Sequence, residues 1–180
     1  MRTLITFFAC WICGSALAQD INPTCEDVIW LDQSFTICEV TAGADLRLFH
    51  ADSNGDVMGH FSTINHELPD DETLGFAMNA GMYHDDYSPV GLYVEDGTVK
   101  SPLASGGGFG NFGLTPNGVF CISDTLNVIE TNDFRESTPS CDYATQSGPM
   151  LVIDGALPPR LLPNGTSRYI RNGVGTSADG

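Results

Sequence analysis

Basic residues are scarce in this sequence. Seven lysines and arginines stand against 23 aspartates and glutamates, and the formal net charge is −16. A chain this acidic repels nucleic acid and anionic membrane surfaces, so we expect neither as a partner. Three of the arginines, Arg160, Arg168 and Arg171, lie close together near the end of the sequence. An anionic substrate would therefore have to be held locally by these side chains.

Long apolar runs are also missing beyond the first residues. Residues 1–18 combine one basic residue, an apolar run and small residues ending at Ala18, which is typical of a secretory signal peptide cleaved before Gln19. The run is too short to span a membrane comfortably and is interrupted by Gly14 and Ser15. We therefore predict an exported protein, periplasmic or secreted, with a single domain over residues 19–180.

The cysteine spacing does not suit a zinc site. Once residues 1–18 are removed, Cys25, Cys38, Cys121 and Cys141 remain, without a Cys-x-x-Cys pair. An even number of cysteines in an exported chain favours disulfides. Local pairing, of Cys25 with Cys38 and of Cys121 with Cys141, is the simplest arrangement, and zinc ligation is the alternative.

Three familiar ligand or catalytic motifs are incomplete. The Gly-rich stretch 104–113 has the glycine spacing of a dinucleotide loop, but Pro116-Asn117-Gly118 follows where a helix would have to begin. Ser147 precedes a glycine without a full Gly-x-Ser-x-Gly elbow. The Asp-rich turn 52–56 lacks the glycine and the final glutamate of a calcium loop. We therefore assign no cofactor and no metal.

Strand signals outnumber helix signals along the chain. Apolar or β-branched segments bounded by turn residues predict the strands. They cover residues 28–31, 35–40, 46–51, 57–61, 74–79, 90–94, 98–103, 112–115, 119–123, 126–131, 150–154 and 168–174. One helix is predicted over 62–68, with Ser62 or Thr63 as its cap, and at most one helical turn within 133–140. The predicted fold class is α+β, a strand-rich mixed β-sheet domain with few short helices.

The stretch 76–97 places a polar turn between two apolar segments, and this turn holds His84, Asp85 and Asp86. Catalytic groups often lie on loops that a rigid scaffold positions, and a histidine beside carboxylates suits acid–base catalysis. A solvated loop is an equally good interpretation. Asn79 can likewise fix its own turn or present its amide to a sugar hydroxyl.

A second group of polar side chains lies later in the sequence. Gln146 and Ser147 offer donors and acceptors to a carbohydrate or a phosphate, and Asn111 is the polar tip of the Gly-rich stretch. Arg171, beside Asn172, suits a phosphate oxygen because a guanidinium group binds it in a forked, permanently charged way. A surface ion pair with a nearby carboxylate is the alternative for Arg171.

Four segments in order resemble the successive motifs of the phosphodiester glycosidase family. They read MNAGMYHDDYSPVGLYVEDG, GNFGLTPNGVFCI, ATQSGPMLVIDG and RNGVG. The resemblance runs from about Cys25 onward and implies a strand-rich α+β domain that hydrolyses a sugar from a phosphodiester. The positions that fall on family motifs are Asn79, His84, Asp86, Asn111, Gln146, Ser147, Arg171 and Asn172.

The roles of these residues are our prediction. Asp86 or His84 serves as the acid or base. The predicted substrate-binding set is Asn79, Asn111, Gln146, Ser147, Arg171 and Asn172. Within it, Arg171 binds the phosphate and the amides of Asn79, Asn111 and Gln146 hold sugar hydroxyls.

The end of the sequence departs from the family pattern. That pattern continues past Arg-Asn-Gly-Val-Gly into a helix and a late Leu-Asp-Gly motif, so we expect the domain to be incomplete at its carboxyl end. The alternative function is a non-catalytic glycan- or phosphate-binding protein, or an inactive fragment of the same fold, because a fold does not settle activity.

Overall fold

The computed structural model describes residues 23–41, 43–108, 110–159, 161 and 169–177. The predicted signal peptide, residues 1–18, lies outside the described residues. Seven strands, two α-helices and a 3₁₀ helix occur in the described part. In chain order they are β1 (Thr24–Trp30), β2 (Gln33–Glu39), α1 (Phe61–Glu67), β3 (Tyr93–Glu95), β4 (Thr98–Ser101), the 3₁₀ helix (Asn111–Gly113), β5 (Gly118–Ile122), β6 (Leu126–Glu130), α2 (Thr131–Ser137) and β7 (Tyr143–Ser147).

The first two strands form an antiparallel hairpin of their own. Leu31 and Asp32 connect them with φ values of 49° and 59°, the left-handed pair that a two-residue hairpin loop of matching twist requires. The disulfide between Cys25 and Cys38 joins residues that face each other in register, as predicted. Large apolar side chains remain exposed on this hairpin, including Trp30, which is 65% exposed.

The other five strands form one antiparallel sheet in the order β4-β3-β7-β5-β6. Alternate residues of a strand point to opposite faces, and here both faces are apolar. Val119 and Cys121 of β5 belong to one core cluster, against which Phe134 of α2 packs. Ile122 belongs to the cluster on the other face, together with Leu48 from the loop after β2. The sheet is therefore the centre of the domain, and the α+β, strand-rich prediction is confirmed.

The second predicted disulfide, between Cys121 and Cys141, also forms. Both cysteines are buried and belong to the core cluster on one face of the sheet. The bond ties β5 to the segment just before β7, so it closes the loop that carries α2. Zinc ligation is excluded for these four cysteines because their thiols are consumed in the two bonds.

Removing the core disulfide should cost more global stability than removing the hairpin disulfide. We expect Cys121→Ala/Cys141→Ala to lower the free energy of unfolding by about 3 kcal/mol, since the unfolded chain regains the entropy of an open loop. Cys25→Ala/Cys38→Ala should change the free energy of unfolding of the main transition by less than about 1 kcal/mol, because the β1–β2 hairpin is not part of the five-stranded sheet. Urea unfolding followed by far-UV circular dichroism measures both. Equal losses in the two variants would contradict this difference.

Two predicted strands with strong apolar composition are wrong. Residues 74–79 have no strand partner in the described chain, and the Leu74 N–H donates instead to Oδ1 of Asn65 at 3.3 Å. Residues 150–154 do not form a strand because Asp154 and Gly155 have φ values of 50° and 74° and reverse the chain at once. Apolar content alone cannot tell a strand from an irregular segment.

Other predicted strands are shorter than expected. The pair 46–51 and 57–61 reduces to one bridge, between Ala51 and Val57. Residues 112–115 overlap the 3₁₀ helix rather than a strand. The predicted strand 168–174 has no regular structure from residue 169 onward, and residue 168 lies outside the described residues.

The observed helices agree better with the sequence-based predictions than the strands do. α1 forms close to the predicted range, but its first residue follows His60, without a side-chain cap, and not Ser62 or Thr63. α2 is longer than the single turn predicted, because the Glu130 carboxylate accepts hydrogen bonds from the N–H groups of Asn132 and Asp133. Within the described part, neither helix has the length and apolar content needed to cross a bilayer.

Candidate functional site

The predicted acid–base cluster lies at the tip of a tight turn. Tyr83 and Pro89 form an isolated bridge at its base. Inside it, the His84 N–H donates to the Ser88 carbonyl at 2.9 Å and the Tyr87 N–H donates to the His84 carbonyl at 2.8 Å. The side chains of His84 and its two acidic neighbours are therefore exposed together on the turn.

Asp86 is held as a carboxylate by its own turn. Its Oδ1 accepts the Ser88 hydroxyl at 2.6 Å and the Ser88 N–H at 3.0 Å. These bonds stabilise the charged form and lower the pKa of Asp86 below its ordinary value, with a smaller contribution from His84. In the described ranges, no group of three or more histidine, cysteine, aspartate or glutamate side chains is arranged to hold a metal ion. Asp86 is thus an ionised, solvent-facing carboxylate.

Two tyrosines flank this cluster, and the sequence interpretation did not include them. The rings of Tyr83 and Tyr87 stack with centroids 5.6 Å apart, and each side chain is 54% exposed. Tyr87 has a φ of 66°, which is unusual for a residue with a side chain, and its carbonyl lies 3.1 Å from Nε2 of His50. Strained backbone of this kind is often found at functional sites. The aromatic residues on both sides of the acidic pair were the available signal.

Two glycines allow the segment around this turn to pack closely on β7. A Cβ atom on Gly81 would lie 2.5 Å from Oγ1 of Thr145, and one on Gly91 would lie 2.5 Å from Oε1 of Gln146. Gly91 also faces the ring of Phe112, at 3.0 Å from the same added atom. The turn, β7 and the 3₁₀ helix therefore meet at the same place.

Gln146 lies at the centre of this meeting point and is 1% exposed. Its Oε1 accepts the N–H groups of Leu92 and Ala104 at 3.1 and 3.0 Å. Its Nε2 donates to the Ala104 carbonyl at 2.9 Å and to Oγ1 of Thr131 at 3.1 Å. All four hydrogen-bonding positions of the amide are occupied. A contact from this amide to a sugar hydroxyl would require one of these bonds to break.

Asn111 and Ser147 are both half-buried. Asn111 begins the 3₁₀ helix, which is anchored by Asn117 through a 2.9 Å bond from Nδ2 to the Phe112 carbonyl. Ser147 ends β7, opposite Gly118 of β5. Both residues thus stand at element ends close to the core.

The last described segment, residues 169–177, contacts the region of Asn79. Nδ2 of Asn172 donates to the Asn79 carbonyl at 2.9 Å. The guanidinium carbon of Arg171 lies 5.5 Å from the centre of the Tyr169 ring, and the side chain is exposed. Among the described residues, no hydrogen bond joins the Asp86 turn to Asn111. The structure therefore brings Asn79 and Asn172 together and places Asp86 and His84 on one turn. Gln146 packs against Gly91, which follows that turn.

Comparison with known proteins identifies a family and a relative. The sequence profile described as phosphodiester glycosidase matches residues 72–180. An Escherichia coli (strain K12) protein named "Uncharacterized protein YigE" is 33% identical in an alignment of 159 residues that covers 86% of this chain. The chain spans 62% of the length of that relative. No solved structure matches the chain.

Proposed function

The chain belongs to the phosphodiester glycosidase family, and from this we propose that it is an exported enzyme that hydrolyses the bond between a sugar and a phosphodiester-linked phosphate. The observation that carries the proposal is the extent of the family match. Residues 72–180 contain all eight positions predicted to bind substrate or act in catalysis. The two disulfides support an oxidising compartment for the protein.

The reaction breaks the bond between the anomeric carbon of the sugar and a phosphate oxygen. Water supplies the new hydroxyl of the sugar, and the phosphate leaves as a monoester. Because this phosphate is a weak base, protonating it lowers the barrier less than stabilising the oxocarbenium-like sugar in the transition state. A single well-placed carboxylate can provide much of that stabilisation.

Asp86 suits this role because its pKa is lowered. An ionised carboxylate stabilises positive charge on the sugar and can accept a proton from the attacking water, whereas it cannot act as the acid. We therefore assign Asp86 as base or electrostatic stabiliser, and His84, two residues away on the same turn, as the acid. The exposed rings of Tyr83 and Tyr87 offer an apolar surface to the C–H face of the sugar.

Arg171 is the proposed phosphate ligand. Its charge is permanent, and its guanidinium can make two parallel hydrogen bonds to phosphate oxygens. The neighbouring Asn172 fixes this segment to Asn79. The phosphate and the sugar would then be held by segments that a hydrogen bond already joins.

Replacing Arg171 should weaken binding of the phosphodiester more than it slows the chemical step. For a sugar joined through a phosphodiester to a nitrophenyl group, we expect Arg171→Ala to raise KM by about 10- to 100-fold, the loss typical of one charge-assisted pair. Cleavage between sugar and phosphate does not free nitrophenol, so the product to measure is the released reducing sugar. Arg135→Ala is the matched control, because Arg135 is exposed and bonds Asn132 on α2.

The same assay separates the two functional hypotheses. Release of sugar by the unaltered protein, with a higher KM in Arg171→Ala only, supports the hydrolase. Tight binding of the phosphodiester without release of sugar between about pH 4 and pH 9 would favour the non-catalytic binding protein. Equal effects of the two arginine variants would overturn the assignment of Arg171.

A further inference from the structure

A cavity of about 530 Å³ lies between the Gly-rich loop, the junction of β6 with α2 and the residues after Ile153. Its volume is typical of a site for a small organic molecule. None of the eight predicted substrate-binding and catalytic residues is among the described residues that line it. The cavity therefore calls for an explanation of its own.

One wall of the cavity carries hydroxyl and amide groups. Ser105, Thr115, Thr131 and Asn132 all line it. Each hydroxyl both donates and accepts hydrogen bonds, and each amide offers one acceptor and two donors. Such a wall complements a ligand that presents several hydroxyls along one edge.

This polar wall is held in place by the interior of the protein. Oγ1 of Thr131 donates to the Asn117 carbonyl at 2.8 Å and accepts from Nε2 of Gln146 at 3.1 Å. On the other side, Gly106 has a φ of 80°, and a Cβ there would lie 3.0 Å from a methyl carbon of Thr115. A wall fixed in this way loses little conformational entropy when a ligand binds.

Another part of the lining is apolar. It is formed by Ile153, Ala156, Leu157 and the two prolines that follow. No aromatic ring is among the lining residues in the described part of the chain. The geometry therefore suits a saturated ring with one C–H face and one hydroxyl edge, and it does not favour a flat aromatic ligand.

The charge of the described lining favours an uncharged ligand over an anion. Within the described ranges, no lysine or arginine lines it, and Glu130 is the carboxylate at its edge. That carboxylate is already bonded to the N–H groups of Asn132 and Asp133 at 2.7 and 3.3 Å. The large negative net charge adds long-range repulsion. The described lining therefore offers a phosphate group no cationic side chain.

We propose that the cavity is a carbohydrate-binding site for an uncharged pyranose residue. Its hydroxyl edge contacts Ser105 and Asn132, and its C–H face lies on the Ala156 to Pro159 segment. This site is additional to the positions assigned to phosphodiester cleavage. The cavity binds carbohydrate whether or not the chain cleaves it.

Filling the cavity tests this directly. The probes are the methyl glycosides of glucose, galactose, mannose and N-acetylglucosamine, titrated into the full chain and followed by chemical shifts of protein amides. We expect at least one to bind and Ala156→Phe to weaken it by about tenfold or more. Leu151→Phe is the matched control, because Leu151 is exposed in the same segment but does not line the cavity.

Substitution of a polar residue of the lining provides a second test of the proposed site. Asn132→Ala should weaken the same glycoside about fivefold. Asn127→Ala, on β6, should not, because its exposed side chain bonds Thr125 just before that strand. No binding of any neutral glycoside, equal loss in Leu151→Phe, or tighter binding of a sugar phosphate at the same amides would each overturn the proposal. The shifted amides should be those of the cavity lining, such as Ser105 and Asn132, and not those of residues 83–88, which keeps this test separate from the proposed hydrolysis.

Discussion

Asp86→Asn should lower kcat for sugar phosphodiester hydrolysis by about 10³-fold, within the range that a positioned base contributes. Asparagine keeps an oxygen where Oδ1 accepts the two hydrogen bonds from Ser88, so the turn is retained and only the charge is lost. The expected loss therefore measures the carboxylate itself. Initial rates of sugar release at saturating substrate provide the number.

The neighbouring aspartate is the matched control. Asp85→Asn removes the same charge one residue away, on the same exposed turn, and should retain activity within about threefold because surface charges are screened in solution. Equal losses in the two variants would mean that the turn contributes only a general negative potential. Unchanged rates in both would remove this turn from the reaction.

The pH dependence of the activity provides an independent test of the role of Asp86. The lowered pKa of Asp86 keeps the carboxylate charged at pH values where an ordinary aspartate, with a pKa of about 3.9, would already be protonated. Activity that requires this charge is present above the pKa and is lost as the pH falls through it. Ser88→Ala removes the hydroxyl bond and raises the pKa, so the acid limb of kcat/KM should move to higher pH. An unmoved limb would separate Asp86 from the titrating group.

Gln146→Leu should lower the free energy of unfolding by about 4 kcal/mol, the largest stability loss that we expect from a single substitution. Leucine has a similar volume but leaves the N–H groups of Leu92 and Ala104 and the Ala104 carbonyl without their partner. Each unpaired buried group costs about 1–3 kcal/mol. For a domain of this size the melting temperature should fall by about 12 °C.

Gln33→Leu provides the comparison for this substitution. Gln33 is exposed in β2, and its amide donates to the Asp32 carbonyl, so the change should cost less than about 0.5 kcal/mol. Urea unfolding followed by circular dichroism compares the two. A Gln146→Leu variant of nearly unaltered stability that loses glycan binding would instead favour the predicted contact between this amide and the sugar.

The sequence was most informative where a local rule determines the structure. The β1–β2 hairpin, the two short-range disulfides and the strands around residues 93–101 and 118–130 follow from turn chemistry and nearby pairing. The hairpin loop is Leu31-Asp32, whereas the predicted strands placed it at residues 32–34. The interpretation was wrong at 74–79 and 150–154, where apolar residues are half-buried or exposed and have no strand partner. Such segments are decided by tertiary packing, which a local pattern does not contain.

For the site, the sequence identified residue types but not their surroundings. From the sequence, Gln146 is equally compatible with an amide that binds substrate and with a buried amide that organises hydrogen bonds in the core. Only the positions of Leu92, Ala104 and Thr131 distinguish the two. The cavity beside Thr131 was not foreseen, because its walls come from segments about 50 residues apart in the chain. The amino-acid composition does not indicate which loops face each other in the folded chain.

The exposed tip of the β1–β2 hairpin has a consequence for spectroscopy. The sequence contains two tryptophans, Trp11 in the predicted signal peptide and Trp30 beside the hairpin turn. After export, the indole emission would therefore come from Trp30 alone. It would report the solvent exposure of the hairpin tip and would not follow the unfolding of the five-stranded sheet. Quenching of this emission by acrylamide, or protection from it by a bound partner, would register contact at the hairpin without any engineered label.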